Sequence, residues 1–245
     1  MIFSHRVALV TGGTSGIGAA TARALTSAGA RVFVASRTRP KDEALAELGG
    51  HFLACDVTDE KAVCALIEGV RTMASRLDLA VNAAGYEGDL APLIHYPVAD
   101  CRRVLDINVI GTFLCLKYEL AAMRDAGGGA IVNLASIAGL KGVPNATAYT
   151  ASKHAVVGLT RAAALESADV SIRVNAVSPT LVDTPMADRL SDKSGLAKDS
   201  FAQANPMHRV ARAEEVAATI CWLLSDEASF VSGQTIGVDG AQSAG

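Results

Sequence analysis

The residues best able to move a proton stand in one stretch, Tyr149-Thr150-Ala151-Ser152-Lys153, with Ser136 thirteen positions before the tyrosine. A phenol holds its proton to about pH 10. A fixed ammonium nearby favours the phenolate and lowers that value. A tyrosine tuned in this way can exchange a proton with a substrate oxygen near neutral pH. Tyr149 and Lys153 are four apart, so a helix places them on one face, one turn from each other. Ser136 closes the apolar run Ala130-Ile131-Val132-Asn133-Leu134. That run reads as a strand, and its carboxyl end is where ligands gather in open α/β sheets. Taken alone, a Tyr-x-x-x-Lys spacing is equally the mark of a surface helix pair.

The elements that must position these residues alternate along the chain. Strands are expected at Arg6 to Val10, Arg31 to Ala35, His51 to Cys55, Leu77 to Val81, Ala130 to Leu134, Val170 to Ser178 and Gln234 to Val238. Helices are expected from the glycines to about Ala28, over Lys41 to Leu48, Asp59 to Met73 and Asp100 to Arg124, around Tyr149 to about Ser167, and over Ala213 to Leu224. The alternation implies one α/β domain over 1–245, a doubly wound parallel sheet of about seven strands with helices on both faces. A cofactor half would cover about 1–130 and a catalytic half about 131–245. Residues 185–207 show weak periodicity and mixed polarity. A long irregular segment inside a compact domain is usually functional, and it reads as a lid over the substrate.

Composition narrows the function. The 245 residues are 50% hydrophobic and 4% aromatic, which suits a close-packed parallel sheet. A net charge of −3 offers no basic surface for nucleic acid or an anionic membrane. The N-terminus runs almost directly into the first strand, and no uncharged run reaches spanning length, so neither a leader nor a membrane span is expected. Five scattered cysteines without a Cys-x-x-Cys pair read as thiols of a reducing cytoplasm. His95 and His154 lack partners at metal-ligand spacing, and no metal is expected.

Between the first strand and helix lies Thr11-Gly12-Gly13-Thr14-Ser15-Gly16-Ile17-Gly18. Glycines allow a tight turn and close approach to a pyrophosphate, and the helix start offers free N–H groups and a positive dipole end. After the second strand, the place where an acidic residue would hold a ribose 2′-hydroxyl carries Ser36, followed by Arg37. Serine does not repel a 2′-phosphate, and arginine can grip one through a forked, charge-assisted pair of bonds. NADP(H) is therefore expected over NAD(H). Asp56-Val57 could flank an adenine ring, or Asp56 could cap the next helix. Asn82-Ala83-Ala84-Gly85 ends the fourth strand in small residues that admit a cofactor, and the Asn82 amide could instead knit strands together. Asn108 sits inside a helical pattern, where asparagine is disfavoured unless it has another task.

These motifs together resemble the short-chain dehydrogenase/reductase family. Thr11–Gly18, Asp56-Val57, Asn82–Gly85, Asn108, Ser136, Tyr149–Lys153 and Pro179–Thr184 match its pattern in order and spacing over Val7 to Gly240. Two departures are Ala83, where the family usually has asparagine, and Thr180, where it usually has glycine. The resemblance implies a tetrad: Tyr149 as acid/base, Ser136 on the substrate oxygen, Lys153 lowering the phenol's pKa and holding the nicotinamide ribose, and Asn108 holding a relay water. It further implies that Thr184 and the backbone near Val182 bind the carboxamide and that Ile17 packs near the cofactor. The implied activity is interconversion of a ketone and a secondary alcohol, most simply a carbonyl reductase. The competing enzymes are an NAD-dependent alcohol or dihydrodiol dehydrogenase and a 3-oxoacyl carrier-protein reductase. A dinucleotide sensor without turnover is the rival from another class. An enoyl reductase is disfavoured because such relatives show a longer tyrosine-to-lysine spacing. Leu140, Val143, Thr180 and Met186 are the expected substrate contacts, with Tyr86 and Glu87 at the rim. The family also implies a homotetramer pairing the last helix and strand.

Overall fold

The computed structural model describes residues 1–244. Seven parallel strands lie in the spatial order β3-β2-β1-β4-β5-β6-β7. They are β1 (Val7–Thr11), β2 (Arg31–Ser36), β3 (His51–Ala54), β4 (Leu79–Asn82), β5 (Gly129–Leu134), β6 (Ile172–Pro179) and β7 (Thr235–Val238). The helices are α1 (Gly16–Ser27), α2 (Asp42–Glu47), α3 (Glu60–Ala74), α4 (Val98–Leu105), α5 (Gly111–Ala126), α6 (Thr147–Ser167), α7 (Pro185–Ser194), α8 (Lys198–Gln203) and α9 (Ala213–Leu224). Strands β1 and β5 carry almost unbroken apolar runs because both faces of the sheet are covered. Residues of α1 and α9 pack one face, and residues of α3, α5 and α6 the other.

The strand order reverses beside β1, and the chain leaves β1 and β4 on either side of that switch point. Register places Thr11, Asn82 and Asn133 abreast on β1, β4 and β5. The Thr11 hydroxyl donates to Asn82 Oδ1 at 3.3 Å, and Asn82 Nδ2 donates to Asn133 Oδ1 at 3.0 Å and to Glu119 Oε2 at 2.9 Å. Asn133 Nδ2 continues the seam to Thr160 Oγ1 of α6 at 2.9 Å. Thus Asn82 does knit the strands together, and it joins them to helices on α5 and α6 as well.

Three expectations need correction. The segment 185–207 is largely helical, in α7 and α8, rather than irregular. Helix α7 buries only Ala187, so it has no apolar stripe to betray it. The helix expected over Asp100 to Arg124 is two helices joined by a π-helical turn at Asp106–Ile110. Finally, the cap of α3 is Asp59, whose carboxylate accepts from the amides of Lys61 and Ala62. Asp56 instead accepts from the Thr58 amide and hydroxyl, at 3.0 and 2.8 Å.

Candidate active site

The glycine turn is fixed by backbone contact. Gly12 has φ +65°, and a methyl group there would lie 2.6 Å from the Ala84 amide nitrogen. A methyl group at Gly18 would stand 2.3 Å from the Gly12 carbonyl oxygen. Only glycine permits either approach. The Gly12–Gly18 turn therefore presses on Ala83 and Ala84 across the switch point. No side chain caps α1 at Ser15, and its first turn has no acidic residue. Its leading N–H groups, with Thr14 and Ser15 beside them, are left for an anion. Ile17 packs on the core cluster under this turn. Gly16 approaches the Thr184 side chain, where a methyl group would lie 3.1 Å from Cγ2. Thr184 caps α7 by accepting from the Ala187 amide, and Val182 is buried and bridged to Ala211.

At the far end of the crevice, the Ser36 hydroxyl donates to the Thr38 carbonyl at 2.7 Å. Arg39 pairs with Asp42 at 3.0 Å. Arg37 is exposed, and among the described residues it makes no hydrogen bond or ion pair. Its field reaches Asp56, whose carboxyl lies below the usual value; the Thr58 amide is the main cause, opposed by burial. Val57 is buried and touches α5, because a methyl at Gly111 would meet its Cγ2 at 2.7 Å.

Tyr149 and Lys153 lie on α6, and Ser136 follows β5 on the short 3₁₀ turn Ile137–Gly139. Gly139 seats that turn against α6, since a methyl there would lie 2.7 Å from the Lys153 carbonyl oxygen. Lys153 is 4% exposed, and its Nζ donates to the Leu134 carbonyl at 2.6 Å. The ammonium stands 5.5 Å from the centre of the Tyr149 ring. A methyl at Gly85 would fall 3.5 Å from Asn108 Oδ1 and 3.8 Å from Lys153 Nζ, so three chain segments converge at one point.

The electrostatics differ from expectation. Burial pushes Tyr149 up to about 12, a hydrogen bond with Ser136 opposes it, and repulsion from Glu87 adds to it. Burial lowers Lys153 to about 8. In the protein alone desolvation therefore outweighs the help expected from Lys153, whose proton is committed to Leu134. Asn108 lies in the π-helical turn, which lets its amide leave the helix pattern. Its Oδ1 accepts from the Tyr86 amide at 2.8 Å, and its Nδ2 donates to the Tyr86 carbonyl at 2.9 Å and to Ser152 Oγ at 3.0 Å. The side chain thus fastens the Tyr86 segment beside Lys153.

The expected substrate contacts differ in exposure. Leu140 is exposed, while Val143, Thr180 and Met186 are partly buried. The Thr180 hydroxyl donates to Gln242 Oε1, and Lys141 Nζ donates to the Gln242 carbonyl at 2.8 Å. This C-terminal contact was not legible in the sequence. Nor was the setting of Glu87, which is 2% exposed and gripped by Arg189 and Lys193 of α7. The i,i+4 spacing of those two basic residues was the available signal.

Comparison with known proteins agrees with this geometry. The family model described as enoyl-(acyl carrier protein) reductase matches residues 12–241. The chain is 44% identical to cis-4-hydroxycyclohexanecarboxylate dehydrogenase of Sinomonas cyclohexanicum, over 99% of this chain and 98% of that protein. It is 41% identical to 2,5-dichloro-2,5-cyclohexadiene-1,4-diol dehydrogenase of Sphingobium indicum, over 97% and 96%. Among solved structures, levodione reductase superposes with a TM-score of 0.95 at 36% identity, covering 99% of both chains. NADP-bound ElxO superposes at 0.91 and 32% identity, covering 98% of this chain and 99% of that one. NAD+-bound xylitol dehydrogenase does so at 0.92 and 35%, covering 97% and 99%. The chain belongs to the short-chain dehydrogenase/reductase family. It is an oxidoreductase that interconverts a ketone and an alcohol.

Proposed function

We propose that the protein is an NADP(H)-preferring carbonyl reductase for a ketone on a six-membered carbocycle, with Tyr149 as its proton carrier. The observation that carries this is the meeting of Ser136, Tyr149 and Lys153 at the carboxyl end of β5, beside Gly85. A bound nicotinamide cofactor would supply hydride chemistry, and the protein would handle the proton. In reduction the Tyr149 phenol gives its proton to the carbonyl oxygen. Ser136 donates a hydrogen bond to the same oxygen and fixes its distance from the phenol. Lys153, held by Leu134, brings positive charge to the phenolate left behind. Asn108 holds the Tyr86 segment in place and, as the family resemblance implies, would hold the relay water.

The residues present fit a dinucleotide. Gly12, Thr14, Ser15, Gly16, Ile17 and Gly18 would hold the pyrophosphate at the start of α1. Asp56 and Val57 would flank the adenine, and Asn82, Ala83 and Gly85 the middle of the cofactor. Pro179, Val182 and Thr184 would receive the nicotinamide, with Tyr149 and Lys153 on its ribose. The unpaired Arg37 beside Ser36 supports a 2′-phosphate. The solved neighbours include one NADP and one NAD complex, so NAD(H) is the second reading. A cyclohexane or cyclohexadiene ring occurs in the names of both relatives' substrates, which supports the ring. Leu140, Val143, Thr180 and Met186 would line it. A homotetramer is part of the proposal, supported by the exposure of Trp222 and Phe230 on and beyond the last helix. Cytoplasmic residence is supported by five free cysteines.

The test offers NADPH and NADH separately, each with cyclohexanone and cyclohexane diones. Tyr149→Phe should lower turnover by about 10²–10⁴-fold while leaving the fold intact. Arg37→Asp should cut the NADPH-to-NADH preference by about 10–100-fold, the worth of a charge-assisted contact. An unchanged ratio would overturn the 2′-phosphate assignment. Full turnover in Tyr149→Phe would overturn the proton carrier.

A further inference from the structure

Helix α7 has almost nothing apolar to hold it. Ala187 is its one buried residue. Its firm attachment is electrostatic. Arg189 places Nε 2.8 Å from Glu87 Oε1 and Nη2 2.9 Å from Oε2, a forked pair. One turn on, Lys193 Nζ lies 3.3 Å from the same carboxylate and donates to the Gly88 carbonyl at 2.8 Å.

The partner side of this contact is rigid. Glu87 and Gly88 follow Tyr86, whose amide and carbonyl are both bound by Asn108. Asp100 of α4 accepts from the Tyr86 hydroxyl, the Asp89 amide and the Tyr96 hydroxyl at 3.0, 2.8 and 2.8 Å. Gly88 has φ +73°, and a methyl there would meet Tyr96 Oη and Val104 Cγ2, each at 2.6 Å. Arg103 of α4 lies over the Tyr86 ring at 4.4 Å. Glu87 is therefore a fixed post, and α7 is the part that can swing.

We propose that Glu87 is a positioning residue whose carboxylate, gripped by Arg189 and Lys193, latches α7 over the substrate site and is thereby balanced beside Tyr149. The inference rests on the proposed role of Tyr149. Arg189 and Lys193 of α7 face Glu87, and its charge acts on Tyr149 of α6; Lys193 also stands 3.8 Å from Asp89 and 5.3 Å from the centre of the Tyr86 ring. Burial works against the Glu87 charge, but the Arg189 hydrogen bonds and both cations outweigh it and keep the carboxyl below the ordinary glutamate value. When α7 lifts, both cations leave. Left without its cations, the Glu87 carboxylate then either takes up a proton or resists ionisation of Tyr149. Closure thus assembles the lid and prepares the phenol in one movement.

Two measurements test the proposal. The first is amide hydrogen exchange of 185–194 in the protein without cofactor, for Glu87→Gln, Arg189→Met and the double variant. Each single variant should speed exchange by about tenfold, and the double should add little to Glu87→Gln, in which the Arg189 pair is already lost. Additive effects, or no effect, would overturn the latch. The second is the pH dependence of alcohol oxidation, which needs the ionised phenol. Arg189→Met should move its rise to higher pH by about one unit, and Glu87→Gln should move it lower. Within the Glu87→Gln background, Arg189→Met should produce no shift. Shifts in the same direction for both single variants would mark a merely structural contact and overturn the coupling. A wild-type rate without a pH limb would count against Tyr149 itself and remove the coupling half of the proposal, while the exchange data decide the latch independently of any turnover.

Discussion

The Gly12–Gly18 turn follows β1 and the α7–α8 excursion follows β6, both at the carboxyl ends of the strands, and they meet where Gly16 approaches Thr184. They are held by different physics. The turn is fixed by backbone against backbone, through close approaches to Ala83, Ala84 and its own Gly12 carbonyl. The excursion is fixed by charges: Glu87 with Arg189 and Lys193, and Lys198 with Asp183 and Asp188 at 2.6 Å each. Backbone contacts tolerate no substitution and leave a spaced glycine signature. Charge contacts are exposed on one side, sensitive to salt, and able to reopen. The proposed roles, a preformed cradle for a dinucleotide and a lid that opens for product, call for this division.

The sharpest way to break the contrast is at the rigid end. Gly18→Ala should disrupt the turn, because its methyl would enter the Gly12 carbonyl at 2.3 Å. A loss of about 1–3 kcal/mol or more in stability is expected from such overpacking. Affinity for NADPH should fall by about a hundredfold, equivalent to nearly 3 kcal/mol. Calorimetry and cofactor fluorescence titration measure the two effects. Retained affinity would mean that the turn yields, and the contrast with α7 would collapse.

The seam that anchors the turn gives the next largest effect. Glu119 is fully buried, and burial raises its carboxyl from 4.5 to about 7 against the Asn82 hydrogen bond that opposes it. Below the unfolded value both states are protonated and stability is full. As pH rises from 4.5 through 7, the unfolded chain releases its proton first and stability drains away. Glu119→Gln removes that titration. Relative to the variant, the native protein should lose about 3 kcal/mol between pH 4 and pH 8. Parallel urea unfolding at the two pH values measures it. A gap that stays constant with pH would show that folding leaves the proton affinity of Glu119 unchanged.

The same contrast explains what was legible in the sequence. The alternation of strands and helices, and the placing of the glycine turn, Ser136, Tyr149 and Lys153 on it, were readable because backbone geometry and strand periodicity tie residue types to fixed spacings. Helices α7 and α8 were not, since a helix with one buried residue writes no apolar period. The break at Asn108 was half visible: the asparagine looked out of place in a helix, but the π turn that accommodates it leaves no spacing of its own. The cap of α3 was read at Asp56, but it is Asp59, three residues on, and only geometry separates the two acids. Gln242 against Thr180, and Glu87 against Arg189, join residues 62 and 102 positions apart, and the i,i+4 spacing of Arg189 and Lys193 shows only one side of the second pair. The acidity of Tyr149 misled for a related reason. Spacing shows that Lys153 is near, but not that its proton is spent on Leu134.

The smallest expected effect lies at the junction of the two regions. Thr184 Oγ1 donates to the Val182 carbonyl at 3.1 Å and accepts from the Ala187 amide at 3.4 Å, while its methyl carbon faces Gly16. Thr184→Ala removes the cap and should cost α7 about 1 kcal/mol. That corresponds to about fivefold faster amide exchange in Pro185–Ser194, with the melting temperature nearly unchanged because the loss is local. Thr184→Ser keeps the cap and removes only the methyl. If exchange in the serine variant matches the native protein, the cap alone steadies the lid, and the two regions are merely neighbours. If it matches the alanine variant, the methyl against Gly16 is what holds α7. The rigid turn would then brace the charged lid directly, and any cofactor seated in the turn would stiffen the lid through that contact.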